Sequence, residues 1–152
     1  MNIVLVEPEI PQNTGNISRT CAVTDSVLHL VRPLGFSTDD KHLRRAGLDY
    51  WHLMDIFYYD SFAELQEKFP QGRFFYATTK GSKYHTDMRY RWDDFLVFGK
   101  ETKGLPQEII NANTEHCIRI PMANDARSMN LANAVSVFLF EALRQNGFPG
   151  MK

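Results

Sequence analysis

At 152 residues, with 43% hydrophobic and 23% charged side chains, seven prolines and nine glycines, the chain has the size and composition of one globular domain, 1–152, which excludes disordered and fibrous classes. No apolar run nears the ~20 residues that span a bilayer, and the start MNIVLVEPEIPQ lacks a basic leader, so a cytoplasmic location with no membrane partner is the expectation. Seventeen Lys and Arg against eighteen Asp and Glu leave a formal charge of −1, and the two distant cysteines, Cys21 and Cys117, read as buried free thiols rather than a disulfide framework or a metal site, so a polyanion could be held only by locally clustered cations.

Residues 2–6, NIVLV, form a short β-branched run of the kind buried on both faces of a sheet, and read as the first central strand. Pro8 and Pro11 are expected to delay a helix until Gln12 or later. Asn13, Thr14, Gly15 and Asn16 supply turn or cap chemistry before Ile17, Cys21 and Ala22 share a helical face. Arg19 falls in the first turn or so of that helix, near the carboxyl end of the strand; a solvated helix arginine is the bland account, a site residue the other. Residues 26–31 read as a second strand, stopped by Pro33 and Gly35. Residues 41–48 read as a short helix with Arg44 and Arg45 outward, a face that either meets solvent or touches phosphate. A third strand at 56–59 precedes a helix at 61–69 opened by a capping box between Ser61 and Glu64.

Residues 73–79 read as the fourth strand, after which Lys80, Lys83, His85, Arg89 and Arg91 interleave with Tyr84, Tyr90 and Trp92 on a loop. Such a composition either grips looped RNA, with phosphates on the cations and bases on the rings, or is a charged loop whose aromatics anchor it to the core. The fifth strand, 95–98, runs into GKETKGLP, where Gly99 allows close backbone approach to a ligand, Glu101 puts a carboxylate at the strand end and Pro106 starts a helix. This turn has neither dinucleotide nor P-loop spacing. A sixth strand at 117–120 is followed by the polar loop of Asn124, Asp125 and Arg127, and then by an apolar helix at about 130–146 opened by Ser128, Met129 and Asn130 and closed by Gly147. Val137 and Phe140 extend its apolar surface beyond one face, so it is either deeply buried or part of a homodimer interface. Alternating strands and helices predict an α/β fold, a mostly parallel sheet with helices on both faces.

Three ligand-type turns then lie at strand ends: NTGNISR, LVFGKETKGL and IRIPMANDARSMNLANAV. Together they resemble the three motifs of the SPOUT-superfamily RNA 2′-O-ribose methyltransferases. The resemblance also covers NIVLVEPEIPQNTGN and RRAGLDYW, and is closest to small tRNA (cytidine/uridine-34)-2′-O-methyltransferases. It implies a deep trefoil knot near the C-terminus, S-adenosylmethionine as cofactor, no metal, a homodimer whose sites borrow residues from both chains, and the anticodon loop of tRNA, leucine isoacceptors in particular, as substrate. Carried over by residue, Ala77, Thr78, Gly99, Glu101, Gly104, Ile120, Met122, Ser128 and Met129 are the expected cofactor residues. Arg19, Asn13, Glu101, Ser128 and Asn130 are the expected catalytic group. Arg19, Arg44, Arg45, Lys80, Lys83, Arg89 and Arg127 are the expected RNA contacts. Lys100 departs from the pattern, standing where relatives often carry proline; it adds a cation beside the cofactor site and a less rigid turn. Three other readings compete: methylation of another RNA such as rRNA, a non-catalytic RNA-binding module of the same fold, and a nucleotide- or flavin-binding α/β protein.

Overall fold

The computed structural model describes residues 1–37 and 55–152. Seven strands form one sheet: β1 (Asn2–Val6), β2 (Val27–Val31), β3 (Ile56–Tyr59), β4 (Phe74–Ala77), β5 (Lys83–Tyr84), β6 (Phe95–Phe98) and β7 (Cys117–Arg119), in the order β3-β2-β1-β6-β4-β7-β5. Every pairing between them is parallel, with Leu5 beside both Leu30 and Phe98 in register. Parallel strands need both faces covered. Helices α1 (Pro11–Val23) and α4 (Leu131–Gln145) cover one face, burying Ile17, Cys21, Val135, Phe138 and Leu139 against Ile3, Leu5, Leu28 and Leu96. Helices α2 (Phe62–Lys68) and α3 (Gln107–Ala112) cover the other, with Leu65, Ile109 and Ile110 over Val4, Val97 and Tyr76. The expected α/β class is the observed one.

Several expected details change. Helix α1 begins at Pro11, not after it, because proline at the first helical position loses only an N–H that would have no intrahelical partner. Asn13 to Asn16 therefore lie inside the helix, and its N-cap, Ile10, supplies no side-chain bond. Ser61 does accept the Glu64 amide at 3.1 Å, but Glu64 closes onto the Asp60 amide at 2.7 Å, one residue outside the expected box. The basic-aromatic loop is no simple loop: Lys83 and Tyr84 add the edge strand β5 beside β7, and a short 3₁₀ turn, His85–Asp87, follows. The helix expected at 41–48, with Arg44, Arg45 and the RRAGLDYW segment, lies outside the described residues.

Both cysteines are buried free thiols, and burial pushes Cys21 up to about 12, which keeps it protonated and unreactive. Helix α4 buries Ala132, Val135, Phe138, Leu139, Ala142 and Leu143, yet leaves Val137 and Phe140 exposed. No described helix is long and apolar enough to cross a membrane.

Candidate active site

Strands β1 and β6 are neighbours at the centre of the sheet, and from them the chain departs in different directions, β1 toward β2 and β6 beside β4. In open parallel sheets the crevice at such a switch point, beyond the carboxyl ends of the strands, is where ligands bind. A cleft of about 1040 Å³ opens there, lined from β1 by Glu7, from β4 by Ala77 and Thr78, from β6 by Phe98 and Gly99, and from β7 by Arg119 and Ile120.

One wall is the turn after β6. Gly104 has φ +69° and donates its N–H to the Lys100 carbonyl at 2.8 Å, folding residues 100–104 back on themselves. This brings backbone hard against Gly99: a Cβ there would lie 2.0 Å from the Gly104 carbonyl carbon and 2.1 Å from the Leu105 nitrogen. Close approach at Gly99 was expected from a ligand; it is the protein's own returning backbone that demands glycine.

The same turn is tied to the first helix. Glu101 accepts the amides of Glu9 at 2.8 Å and Ile10 at 3.1 Å and the side-chain amide of Asn13 at 3.0 Å. Its carboxylate is thus the missing cap of α1, placing negative charge where the helix dipole and unpaired amides favour it. Thr102 bonds Glu9 through both its backbone and its hydroxyl. Lys100 reaches the Glu7 carboxylate at 2.7 Å, a bond that raises the lysine above its ordinary range. The extra cation is therefore matched by an acid, and the turn is anchored at three successive residues rather than loosened.

Asn130 supplies the third tie. Its side-chain oxygen accepts from Ala132 and Asn133 as the N-cap of α4, and its amide donates to Asn13 at 3.0 Å. Asn13 is 6% exposed and bonds the exposed Asn130 on one side and the half-buried Glu101 on the other, so a chain Asn130–Asn13–Glu101 runs along the cleft and joins all three motif turns.

The expected cofactor residues Ala77, Thr78, Gly99, Glu101, Gly104, Ile120, Met122, Ser128 and Met129 all line this cleft. Asn13, Asn130, Lys80 and Arg127 line it as well. Arg19 does not: it is exposed on α1, about 9 Å along the axis from Asn13 and on another face, at 1.5 Å and 100° per residue. Lys83 and Arg89 lie outside the cleft too. Lys83 is held by Glu115 at 3.2 Å, and Lys80 on the rim by Gln107 at 2.8 Å. The aromatics divide: Tyr90 is buried, donating its hydroxyl to the His85 carbonyl, and Trp92 packs on the core, whereas Tyr84 is exposed. For Tyr90 and Trp92 the core-anchor account holds.

Sequence reasoning missed Glu7, whose φ of +52° is rare outside glycine and aims its carboxylate at Lys100, and Arg119. Each stands at or just past a strand's carboxyl end, and that position was the available signal.

The lining combines apolar Leu105, Leu131, Ala134 and Phe138, the ends of β4 and β6, and polar Asn13, Asn130 and Arg119. S-adenosylmethionine, with its flat base, ribose and charged amino-acid end, calls for such a mixed lining, and the cleft is at the upper end of the usual size for small-molecule sites. No group of metal-ligating side chains occurs among the described residues.

An all-parallel sheet with a cleft beside a glycine-constrained turn at its carboxyl edge defines the class, an α/β ligand-binding domain. The SpoU rRNA Methylase family matches residues 1–140, and the chain belongs to that family. It is 54% identical to the tRNA (cytidine(34)-2′-O)-methyltransferase of Escherichia coli K12, over 99% of this chain and 96% of that protein. A solved structure described as giving insight into the 2-OH methylation of C/U34 on tRNA is 45% identical, with a TM-score of 0.92, covering 96% of this chain and 95% of that one. The AdoMet-bound rRNA methyltransferase of Sinorhizobium meliloti is 26% identical with a TM-score of 0.82, covering 94% of this chain and 55% of that one.

Proposed function

We propose that the protein transfers the methyl group of S-adenosylmethionine to the 2′-hydroxyl of nucleotide 34, cytidine or uridine, in the anticodon loop of tRNA. The observation that carries this reading is the Asn130–Asn13–Glu101 chain, which assembles three distant motifs around one cleft in a chain 54% identical to an enzyme of that activity.

A ribose hydroxyl ionises far above neutral pH, so the protein must stabilise the oxygen as its proton leaves and hold it in line with the methyl carbon. The bound sulfonium supplies an already activated methyl. A guanidinium donates hydrogen bonds and accepts none, so the part of Arg19 is to stabilise negative charge at the oxygen, together with an RNA phosphate. Asn13, Glu101, Ser128 and Asn130 fix the walls between which donor and acceptor meet.

The reading includes a homodimer. Val137 and Phe140 on α4 and Val23 on α1 are exposed apolar residues on the two helices that pack together on one face, and Arg19 lies on α1 outside its own chain's cleft, where a second copy would bring it to the site. The C-terminal trefoil knot, a cytoplasmic location and RNA contacts through Lys80, Lys83, Arg89 and Arg127 belong to the same proposal.

Incubation of the purified protein with methyl-labelled S-adenosylmethionine and total tRNA, followed by nuclease mapping, is expected to place one 2′-O-methyl group at position 34. Cofactor binding without transfer to tRNA would overturn the assignment; transfer to rRNA alone would redirect it.

A further inference from the structure

Among the cations lining or flanking the cleft, Lys80, Lys83 and Lys100 are bonded to Gln107, Glu115 and Glu7, and Lys103 and Arg127 are exposed to solvent. Arg119 differs. It is the last residue of β7, it lines the cleft, and its guanidinium lies over the Tyr84 ring at 5.2 Å, Tyr84 being its register partner in β5. Its Nε is shut off from solvent and has no hydrogen-bond partner among the described residues. An arginine cannot shed its proton, so a shielded guanidinium N–H left unmade carries a desolvation cost that a charged acceptor would remove. None of the described residues supplies one: of the cleft's carboxylates, Glu7 is taken by Lys100, Glu101 by the start of α1, and Glu108 does not bond the Arg119 Nε. A guanidinium is planar, and a planar fork of donors is the geometry that recognises a carboxylate or phosphate, while the ring beside it favours the cation.

We propose that Arg119, held over the Tyr84 ring, is an oxyanion-binding residue of this cleft. The proposal rests on the function reading above, which gives two sources of such a group: the carboxylate at the amino-acid end of S-adenosylmethionine, or a phosphate of the bound RNA.

Arg119→Gln and Arg119→Lys separate them. Equilibrium binding of S-adenosylmethionine by calorimetry and of tRNA across a salt series is measured on both variants and the wild type, with thermal midpoints confirming that each is folded. A cofactor affinity lowered tenfold or more with an unchanged tRNA salt slope supports the proposal and assigns the cofactor carboxylate. A lowered tRNA affinity with a log–log salt slope shallower by about one, and unchanged cofactor binding, supports it and assigns an RNA phosphate. Arg119→Lys is expected to recover only part of either loss, because an ammonium keeps the charge and lacks the fork. Tyr84→Leu is expected to shift the same ligand severalfold, and Tyr84→Phe to behave as wild type. Folded Arg119 variants that bind both ligands as the wild type does would overturn the oxyanion role and leave the function reading standing, whereas a wild type that binds neither ligand would overturn both.

Discussion

The side-chain amide of Asn130 donates to the side-chain carbonyl of Asn13 across 3.0 Å, joining the first turn of the last helix to the first turn of the first helix over 117 residues of chain. Asn130 also caps α4, so two roles sit on one side chain, and substitution can part them. Asn130→Ala removes the cap and the bond, each worth about 1 kcal/mol. It is expected to destabilise by about 1–2 kcal/mol and to slow methyl transfer. Asn130→Asp keeps an oxygen for the Ala132 amide but no donor for Asn13, so it recovers the cap's share of stability without recovering transfer. Urea midpoints beside single-turnover rates check this; an Asp variant no more stable than the Ala variant would remove the cap from the account.

Glu101 accepts three N–H groups, two of them at the otherwise uncapped start of α1. Hydrogen bonds to a charged group contribute about 1.5–3 kcal/mol, so Glu101→Ala is expected to cost at least ~2 kcal/mol. Glu101→Gln should recover little, since its amide sets a donor against the Glu9 or Ile10 N–H. Hydrogen exchange at the start of α1 is the sharper readout: protection there should fall before protection in β1 does.

Arg19 is placed in the reaction without lining its own chain's cleft. Arg19→Ala is therefore expected to abolish transfer while cofactor affinity stays within about tenfold, near 1.4 kcal/mol. Calorimetry with S-adenosylmethionine alongside the labelled-methyl assay tests it; a fully active variant would take Arg19 out of the mechanism.

How far the sequence carried is visible at these same residues. β-branched runs such as Asn2–Val6 and the alternation with helical segments made a parallel sheet legible, because periodicity is local. Glu101 was legible as a site residue from its motif but not as a helix cap, since its partners are about 90 residues away in sequence. The same holds for Gly99, whose need for glycine is set by a backbone that returns only after folding. β5 was missed because two residues carry no period, and its strand character comes from Ile118 and Arg119 beside it.

His29 gives a pH dependence. It is 1% exposed in β2, with Nε2 at 3.1 Å from the Asn2 side-chain Oδ1 and Nδ1 at 2.9 Å from the Tyr59 hydroxyl. Asn2 turns its amide to the Asp93 carbonyl, which leaves Asn2 only an acceptor for the histidine, so Nε2 holds the proton and Nδ1 accepts from Tyr59. Desolvation pushes the imidazole down to about 4. Between about 6.5 and 4 the unfolded chain thus binds a proton that the folded one refuses, and stability falls as pH falls through this window, by on the order of 3 kcal/mol when complete. Urea unfolding from pH 7.5 to 4 should show that slope, and His29→Gln should flatten it; an equal slope in the variant would assign the loss to other groups.

Gly99 and Gly104 differ in kind, and alanine distinguishes them. At Gly104 a Cβ meets open space, so Gly104→Ala carries only the cost of holding φ +69° with a side chain, about 1–2 kcal/mol. At Gly99 a Cβ would fall 2.0 Å from one backbone atom and 2.1 Å from another, and neither belongs to a side chain that can swing away. Relief requires residues 100–105 to lift, which breaks the Gly104 N–H bond to Lys100 and pulls Glu101 from the start of α1. Gly99→Ala is therefore expected to cost more than about 3 kcal/mol, as severe overpacking can, and to lower cofactor affinity more than tenfold even where the variant stays folded. Thermal midpoints and calorimetry on the two variants decide the order, and a Gly104→Ala more damaging than Gly99→Ala would mean the turn is held by its dihedral rather than by the crowding at Gly99.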